Sequence, residues 1–312
     1  MSMSFAELRA NVFEWYEDGH YQEALDLVNR EAPHFPAEAK HTYYWRVCLT
    51  SRVGDTGQAL RLLGEAVVAG FWYPVSMLRS DSDLAPLQGL PEFERLLSVC
   101  QERSDEAQAK AVPMRLTLEP DGQQPAPLLV ALHGNNGNAQ TSAEYWRPAS
   151  SDGWHVLLPQ SSQVSGPDAY VWNDRDWSVR EVRQHHAEVC AQAPVDSTRT
   201  VVGGFSMGGG LAVWLALSGA IAARGFVAVG PYLPNVEELR QVLAERQPQG
   251  MRGYIVIGGK DKGCHEVSKA VAAMMHEHGL PCELEVHPDM GHVFPPAFDQ
   301  SLQKALQFVM NG

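Results

Sequence analysis

Seven short apolar segments, all after residue 112, constrain the fold of this chain more than any other feature. They are residues 114–118, 128–132, 155–158, 200–205, 225–229, 253–257 and 283–286. Several are continuous apolar runs bounded by glycine or proline, which is typical of strands buried on both faces of a parallel sheet. Helix-like stretches lie between them and indicate strand–helix–strand units. The sequence therefore predicts an α/β domain over residues 112–312, with a last helix over 298–310.

The first 105 residues have a different, helical pattern. The heptapeptide that begins at Gly19 returns in outline 35 residues later, at Gly54. In both copies a glycine opens the segment and an alanine, Ala24 or Ala59, follows five positions later. This resembles the turn and second helix of a tetratricopeptide (TPR) hairpin, in which a small residue lets two helices approach closely. Two copies fall short of a full repeat array, so an arbitrary helical bundle remains the alternative.

A further helix is expected from Pro91, with Phe93, Leu96 and Leu97 on its buried face. The polar segment that follows indicates the end of this helix and a linker. We therefore predict an all-α, TPR-like domain over residues 1–105, a linker over 106–111, and the α/β domain beyond it. We expect the helical domain either to cap the active site or to bind a protein partner or a second copy of the chain.

Composition excludes several classes of protein. The net charge of −13 argues against a nucleic-acid partner, which would select a basic face. No apolar run is long enough to span a bilayer, and the first residues lack the basic and apolar regions of a signal peptide. The five cysteines are scattered and form no C-x-x-C pair, which favours reduced thiols and a cytoplasmic location.

The motif G-x-S-x-G occurs as Gly-Phe-Ser-Met-Gly over residues 204–208. An apolar strand candidate precedes it and a helix-like run follows it. A serine on a sharp turn between strand and helix is the arrangement of a nucleophile elbow. We therefore predict that Ser206 is a catalytic nucleophile. The alternative is a glycine-rich turn with an incidental serine.

A serine nucleophile needs a base and a group that orients the base. In this architecture the partners follow in the order serine, acid, histidine. Asp261 comes just after the strand candidate 253–257, and His292 comes after the last strand candidate. We prefer His292 to His287, which ends that strand beside a proline. Glu266 and Asp289 are the next candidates for the acid if Asp261 is not the orienting group.

The oxyanion of an acyl-transfer intermediate needs backbone N–H donors. We predict that these are Met207, directly after the nucleophile, and Asn135, in the loop after the second strand. His133 is expected to order that loop. Trp172 is a candidate for the substrate pocket, with simple packing as an equal alternative.

Taken together, the segments 133–134, 204–209, 259–261 and 291–292 resemble the phospholipase/carboxylesterase branch of the α/β-hydrolases, and the likeness extends over residues 112–310. The resemblance implies an esterase or thioesterase with Ser206, Asp261 and His292 as its triad. The related dienelactone hydrolases carry a cysteine at the elbow, so their chemistry is not implied. The remaining alternatives are a serine peptidase of the prolyl-oligopeptidase type and a TPR-like adaptor with an inactive hydrolase fold.

We expect a small-molecule ester or thioester substrate, no cofactor and no metal. No second cysteine or histidine lies at zinc-site spacing from Cys264 and His265. No dinucleotide-binding glycine motif follows the first strand.

Overall fold

The computed structural model of the protein describes residues 3–122 and 124–311. The chain divides into two compact units. The first, here called the helical unit, comprises residues 1–110 and the short segment 165–167. The second, here called the sheet unit, comprises residues 111–164 and 168–312.

The described residues of the helical unit form six α-helices, with short 3-10 helices in two of the connections. They are α1 (Phe5–Glu17), α2 (Tyr21–Glu31), α3 (Ala39–Arg52), α4 (Thr56–Val68), α5 (Val75–Ser80) and α6 (Pro91–Lys110). Successive helices from α1 to α4 pack against one another. As predicted, Phe93, Leu96 and Leu97 of α6 are buried. The predicted linker over 106–111 is helical as far as Lys110.

The two copies of the 35-residue pattern form the same turn. Gly19 ends α1 with φ of +80° and Gly54 ends α3 with φ of +94°, a region that favours glycine. In each case the residue after the glycine donates its N–H to the carbonyl five residues earlier. His20 donates to Trp15 at 2.8 Å, and Asp55 donates to Thr50 at 3.1 Å. These are the bonds of a Schellman helix end. The equivalent alanines, Ala24 and Ala59, are fully buried, which fits close helix approach. The TPR likeness itself stays a prediction.

Beyond residue 112 the chain forms a seven-stranded sheet and a two-stranded ribbon. The strands are β1 (Met114–Leu118), β2 (Ala126–Leu132), β3 (His155–Gln160), β4 (Val164–Gly166), β5 (Ala169–Tyr170), β6 (Val195–Phe205), β7 (Gly225–Val229), β8 (Arg252–Gly258) and β9 (Cys282–His287). The order in the large sheet is β1-β3-β2-β6-β7-β8-β9. The β1 strand is antiparallel to β3, and all other neighbours are parallel. All seven predicted strands are present in this sheet.

Helices cover both faces of the sheet. They are α7 (Ala139–Ser151), α8 (Arg175–Gln192), α9 (Met207–Ser218), α10 (Val236–Arg246), α11 (His265–Glu277) and α12 (Phe298–Met310). The central strand β2 shows how the two cores form. Leu129 and Ala131 pack with α7 and α12 on one face, and Leu128 and Val130 pack with α8 and α9 on the other. The mostly parallel α/β fold predicted from the sequence is therefore confirmed.

The ribbon of β4 and β5 was not predicted, because two strands of three and two residues carry no periodic signal. None of the described helices combines the length and the apolar character needed to cross a membrane.

Candidate active site

The turn between β6 and α9 holds Ser206 in a backbone conformation that non-glycine residues rarely adopt. Its φ is +54° and its ψ is −119°. Such a conformation is costly and persists only where its surroundings impose it. The Ser206 N–H donates to the carbonyl of Val229 at 2.9 Å, and the Ser206 carbonyl accepts from Tyr232 at 2.8 Å. The neighbouring strand β7 and the loop after it thus fix the turn from both sides.

Two glycines of the motif are required by close backbone contacts. A Cβ at Gly204 would lie 2.3 Å from the carbonyl oxygen of Gly208, and one at Gly208 would lie 2.2 Å from that of His133. Any larger residue would push the turn away from its neighbours. The second contact also shows that the loop after β2 lies directly against the elbow.

The structure brings Ser206, His292 and Asp261 into one hydrogen-bonded chain. The Nε2 atom of His292 is 2.8 Å from the Ser206 Oγ, and its Nδ1 atom is 2.6 Å from Asp261 Oδ2. Asp261 follows β8 and His292 follows β9, so parallel strands deliver all three residues to one edge of the sheet. Ser206 and Asp261 are buried, whereas the imidazole of His292 is 40% exposed. A buried acid and an accessible base beside a strained serine suit proton transfer.

The other acids and the other histidine that the sequence offered as candidates do not belong to this series of hydrogen bonds. Asp289 is 96% exposed and pairs with Lys260, and Glu266 is exposed and pairs with Lys269. His287 bonds instead to Glu285, at 2.7 Å. The second oxygen of Asp261 accepts the main-chain N–H of Cys264 at 3.2 Å, which orients the carboxylate toward His292.

The two predicted oxyanion donors flank the elbow. Met207 is the first residue of α9, and Asn135 lies in the exposed loop after β2. Within residues 3–122 and 124–311, the main-chain N–H groups of these two residues donate to no protein acceptor. An N–H at the start of a helix is free by construction, and it favours negative charge.

Comparison with known proteins identifies the family. A family described as "alpha/beta hydrolase fold" matches residues 127–307, which is more than half of the chain. This chain is an α/β-hydrolase. A second family, described as "A/B hydrolase-like, N-terminal domain", matches residues 4–108. This second match covers most of the helical unit. No curated protein matches the chain in sequence.

Solved structures agree with this assignment of the fold. An uncharacterized protein from Bacillus cereus ATCC 10987 is 26% identical over 99% of both chains, with a TM-score of 0.57. Esterase PE8 is 17% identical, covers 64% of this chain and 99% of its own, and has a TM-score of 0.54. The Bacillus cereus carboxylesterase is 16% identical over 66% of this chain and 99% of its own, with a TM-score of 0.50. The last two likenesses concern the hydrolase fold alone.

In this α/β-hydrolase, His133 is a structural residue of the loop after β2. Its Nδ1 lies 2.8 Å from the Gly134 carbonyl, and its Nε2 lies 3.3 Å from the Ser161 N–H. These partners imply a neutral ring with the proton on Nδ1. Burial lowers the pKa of His133 to about 4. The ring also stacks on Trp172, with centroids 4.6 Å apart.

Trp172 has two roles in the structure. It donates its indole N–H to the carbonyl of His133 at 2.9 Å, which ties the β2 loop in place. It also lines a cavity of about 490 Å³, as Met207 does. Other residues that line this cavity are Leu211, Trp214, Tyr232 and Leu233. The sequence left packing and substrate binding as alternatives, and the geometry is compatible with both.

An aromatic stack beside His292 was missed by sequence reasoning. The ring of Phe205 lies 4.9 Å from the His292 ring and 4.7 Å from the Phe294 ring. Phe294 in turn stacks on Tyr145 at 3.9 Å. Phe205 occupies a variable position of the elbow motif, so no pattern in the sequence indicated this contact. The ion pair between Arg175 and Glu238, at 2.5 and 2.8 Å beside the Trp214 ring, was also missed, because its two residues are 63 positions apart and belong to no motif.

The donor atoms of Asp261, Cys264 and His292 lie within 4.8 Å of one another, close enough to consider a metal. Two nitrogen or oxygen ligands of a tetrahedral zinc ion lie about 3.3 Å apart. The 2.6 Å contact between His292 and Asp261 is shorter than that and is a hydrogen bond. Burial and the nearby Asp261 carboxylate raise the pKa of the Cys264 thiol to about 12, which disfavours the thiolate that a metal would need.

Proposed function

We propose that this α/β-hydrolase cleaves carboxylic esters, or thioesters, through a covalent acyl-enzyme on Ser206. One observation carries the proposal: the unbroken hydrogen-bond chain from the Ser206 hydroxyl through His292 to Asp261, at a strained turn. A serine is a weak nucleophile unless a positioned base takes its proton. The 2.8 Å contact gives His292 that position.

In the first half-reaction, His292 Nε2 accepts the Ser206 proton while Oγ attacks the substrate carbonyl carbon. The carbonyl oxygen becomes an oxyanion that the N–H groups of Met207 and Asn135 stabilise. His292 then gives its proton to the leaving alcohol or thiol, and the C–O or C–S bond breaks. The acyl group remains on Ser206.

In the second half-reaction, water takes the place of the alcohol. His292 removes a proton from the water, hydroxide attacks the acyl carbon, and the acid leaves as the proton returns to Ser206. In both halves Asp261 accepts a hydrogen bond from the Nδ1–H of His292, which keeps its proton. It therefore holds the required tautomer and stabilises the imidazolium.

The cavity beside Met207 supports an apolar substrate group. Its walls carry the indoles of Trp172 and Trp214 and the side chains of Leu211 and Leu233. We assign this cavity to the acyl chain or to the leaving group, with Trp172 as a substrate-binding residue. The helical unit takes no part in the bond-breaking steps of this proposal.

The proposal is tested with a fluorophosphonate probe and a panel of substrates. The probe forms a covalent bond with an activated serine, so it is expected to label Ser206. The panel contains p-nitrophenyl esters from acetyl to dodecanoyl, the matching thioesters, and aminoacyl p-nitroanilides. Turnover of the esters, with the anilides at least about 100-fold slower, would favour an esterase over a serine peptidase.

Ser206→Ala is the decisive variant. Because members of such a chain act as a unit, ester hydrolysis should fall by about 10⁴-fold or more, and probe labelling should vanish. Ser98→Ala is the matched control, since the hydroxyl of this exposed serine of α6 donates to the main-chain carbonyl of Glu94. Labelling that persists in Ser206→Ala would refute the assignment. An unlabelled wild-type protein would favour the adaptor alternative.

A further inference from the structure

The helical unit contains a cavity of its own. Its lining residues differ in type from those beside Ser206 and are distant from them in sequence. Its volume is about 290 Å³. It lies between α1, α3 and the segment after α5. Four aromatic residues and two aspartates form most of its lining: Phe13, Tyr16, Tyr44, Trp45, Asp81 and Asp83. The combination of aromatic rings and carboxylates in one cavity indicates the kind of group that it accepts.

The two carboxylates are held in place by tyrosine hydroxyls. Tyr44 donates to Asp81 at 2.6 Å, and Tyr16 donates to Asp83 at 2.7 Å. Asp83 is only 5% exposed. The main-chain N–H of Asp83 also donates to Asp81, at 2.9 Å. The acids are therefore preorganised, and their positions do not depend on a ligand.

The charge of this cavity is not balanced by the protein. Arg52 forms an ion pair with Asp83, at 3.6 Å. Across the described parts of the chain, no lysine, arginine or histidine forms an ion pair with Asp81. Two carboxylates thus face one guanidinium. Burial raises the pKa of Asp83, although the Tyr16 hydroxyl and Arg52 act in the opposite direction.

The aromatic walls favour the same sign of charge. The face of an aromatic ring is electron-rich and attracts cations, and cages of such rings bind quaternary ammonium groups. Trp45 is fixed by stacking on Phe5 at 5.4 Å and by an edge contact with Phe13 at 5.7 Å. Phe13 is 47% exposed, so solvent reaches the cavity wall.

A metal ion is the competing occupant, because Cys48 Sγ lies within 4.8 Å of donor atoms of Asp81 and Asp83. Burial and both carboxylates raise the pKa of the Cys48 thiol well above its usual range. A metal would need the thiolate and would have to displace the tyrosine hydroxyls from the acids. An ammonium group that contacts ring faces needs neither change.

From these contacts we propose that the helical unit binds a small organic ammonium ion of about the size of choline. The volume lies at the lower limit of about 300 Å³ for ligand pockets, which excludes large amines. The cation would contact the rings of Trp45 and Phe13, with its charge compensated by Asp81 and Asp83. This site is independent of the proposed hydrolase chemistry, and its test uses binding rather than turnover.

The test compares choline with its neutral carbon isostere, dimethylbutanol, by titration calorimetry on the full-length protein. The two probes have the same shape and differ in charge. We expect saturable choline binding and at least about 10-fold weaker binding of the isostere. Equal affinity for the two probes, or no choline binding, would overturn the proposal. Binding of Zn²⁺ that is saturable while choline fails to bind would identify a metal site instead and would also overturn it.

Variants then locate the site. Asp81→Asn keeps the shape of the side chain and removes its charge, and we expect choline affinity to fall by about 10-fold or more. Glu65→Gln is the matched control, because this exposed acid of α4 lies outside the cavity, and it should change the affinity by less than about twofold. If Asp81→Asn fails to fold, Phe13→Leu serves, since the residue is half exposed. Unchanged affinity in the folded cavity variant would exclude this cavity as the site.

Discussion

Asp261 in the sheet unit and Asp83 in the helical unit are buried to nearly the same extent, with exposures of 6% and 5%. They differ in their hydrogen-bond partners. Asp261 accepts from an imidazole whose other nitrogen contacts a serine hydroxyl. Asp83 accepts from a tyrosine hydroxyl and lies near a guanidinium. Neither of these partners transfers a proton readily near neutral pH, since both titrate far above it.

The backbone that carries each acid explains the difference. Parallel strands end at one edge of the sheet, so residues 206, 261 and 292 meet although they are distant in sequence. Asp81 and Asp83 lie at the start of the short 3-10 helix Ser82–Leu87, against the sides of α1 and α3. In that position the two carboxylates lie beside the aromatic rings and tyrosine hydroxyls of α1 and α3. A buried carboxylate therefore indicates a function only when its partners are known.

Asp261→Asn gives the largest expected effect. The amide is expected to orient His292 through the wrong tautomer, and kcat for ester hydrolysis should fall by about 10⁴-fold with little change in stability. Steady-state kinetics and thermal unfolding measure the two quantities. Asp289→Asn is the control, because that acid is 96% exposed. A variant at position 261 that keeps near-normal kcat would place the orienting acid elsewhere.

His133 is buried but takes no part in the proposed proton transfer, so it tests the effect of burial alone on stability. Its pKa is lowered to about 4 by burial, against about 6.5 in an unfolded chain. Between these two pH values His133 binds a proton in the unfolded chain but not in the folded protein. The free energy of unfolding therefore decreases as the pH falls. From pH 7 to pH 5 this histidine alone should cost about 2 kcal/mol.

The measurement is urea unfolding of the wild type and of His133→Asn at both pH values. Other buried histidines contribute equally to the two proteins and cancel in the comparison. The variant should therefore lose less stability than the wild type over this interval. An identical loss in both proteins would show that His133 does not remain neutral in the folded state.

Phe294→Leu tests whether the aromatic stack positions the base. Phe294 supports Phe205, which contacts the His292 ring at 4.9 Å. A leucine should loosen this support and reduce kcat by about 10-fold, since small misplacements of catalytic groups are costly. KM should change by less than about twofold, and labelling by fluorophosphonate should slow in parallel. Phe294→Tyr should restore both rates, whereas a purely structural role would lower only the melting temperature.

The sequence predicted the sheet well because its signal is local. The segments 114–118 and 225–229 match β1 and β7 at both ends, and the last helix was predicted with its observed bounds. The positions of Asp261 and His292 followed from the rule that parallel strands end at one edge. Their catalytic roles, and those of Asn135, Met207 and Trp172, stay predictions that the experiments above address.

Contacts between side chains of distant segments could not be predicted in this way. Phe205 and Phe294 are 89 positions apart, and neither belongs to a periodic pattern that links them. The pairing of Tyr16 with Asp83 spans 67 positions and depends on how α1 meets an irregular segment. Such contacts arise from packing geometry, which hydrophobic periodicity does not encode.

The smallest expected effect concerns Asn135, and it separates the backbone from the side chain. The proposed oxyanion donor is the main-chain N–H of this residue, which donates to no acceptor in the described parts of the chain. Asn135→Ala keeps that N–H, so kcat should fall by less than about threefold. Loss of a side-chain donor to an oxyanion costs about 100-fold or more. Kinetics of the variant with p-nitrophenyl acetate therefore distinguish the two cases. A 100-fold drop would show that the amide side chain contacts the oxyanion, and the loop after β2 would then contribute a side-chain donor.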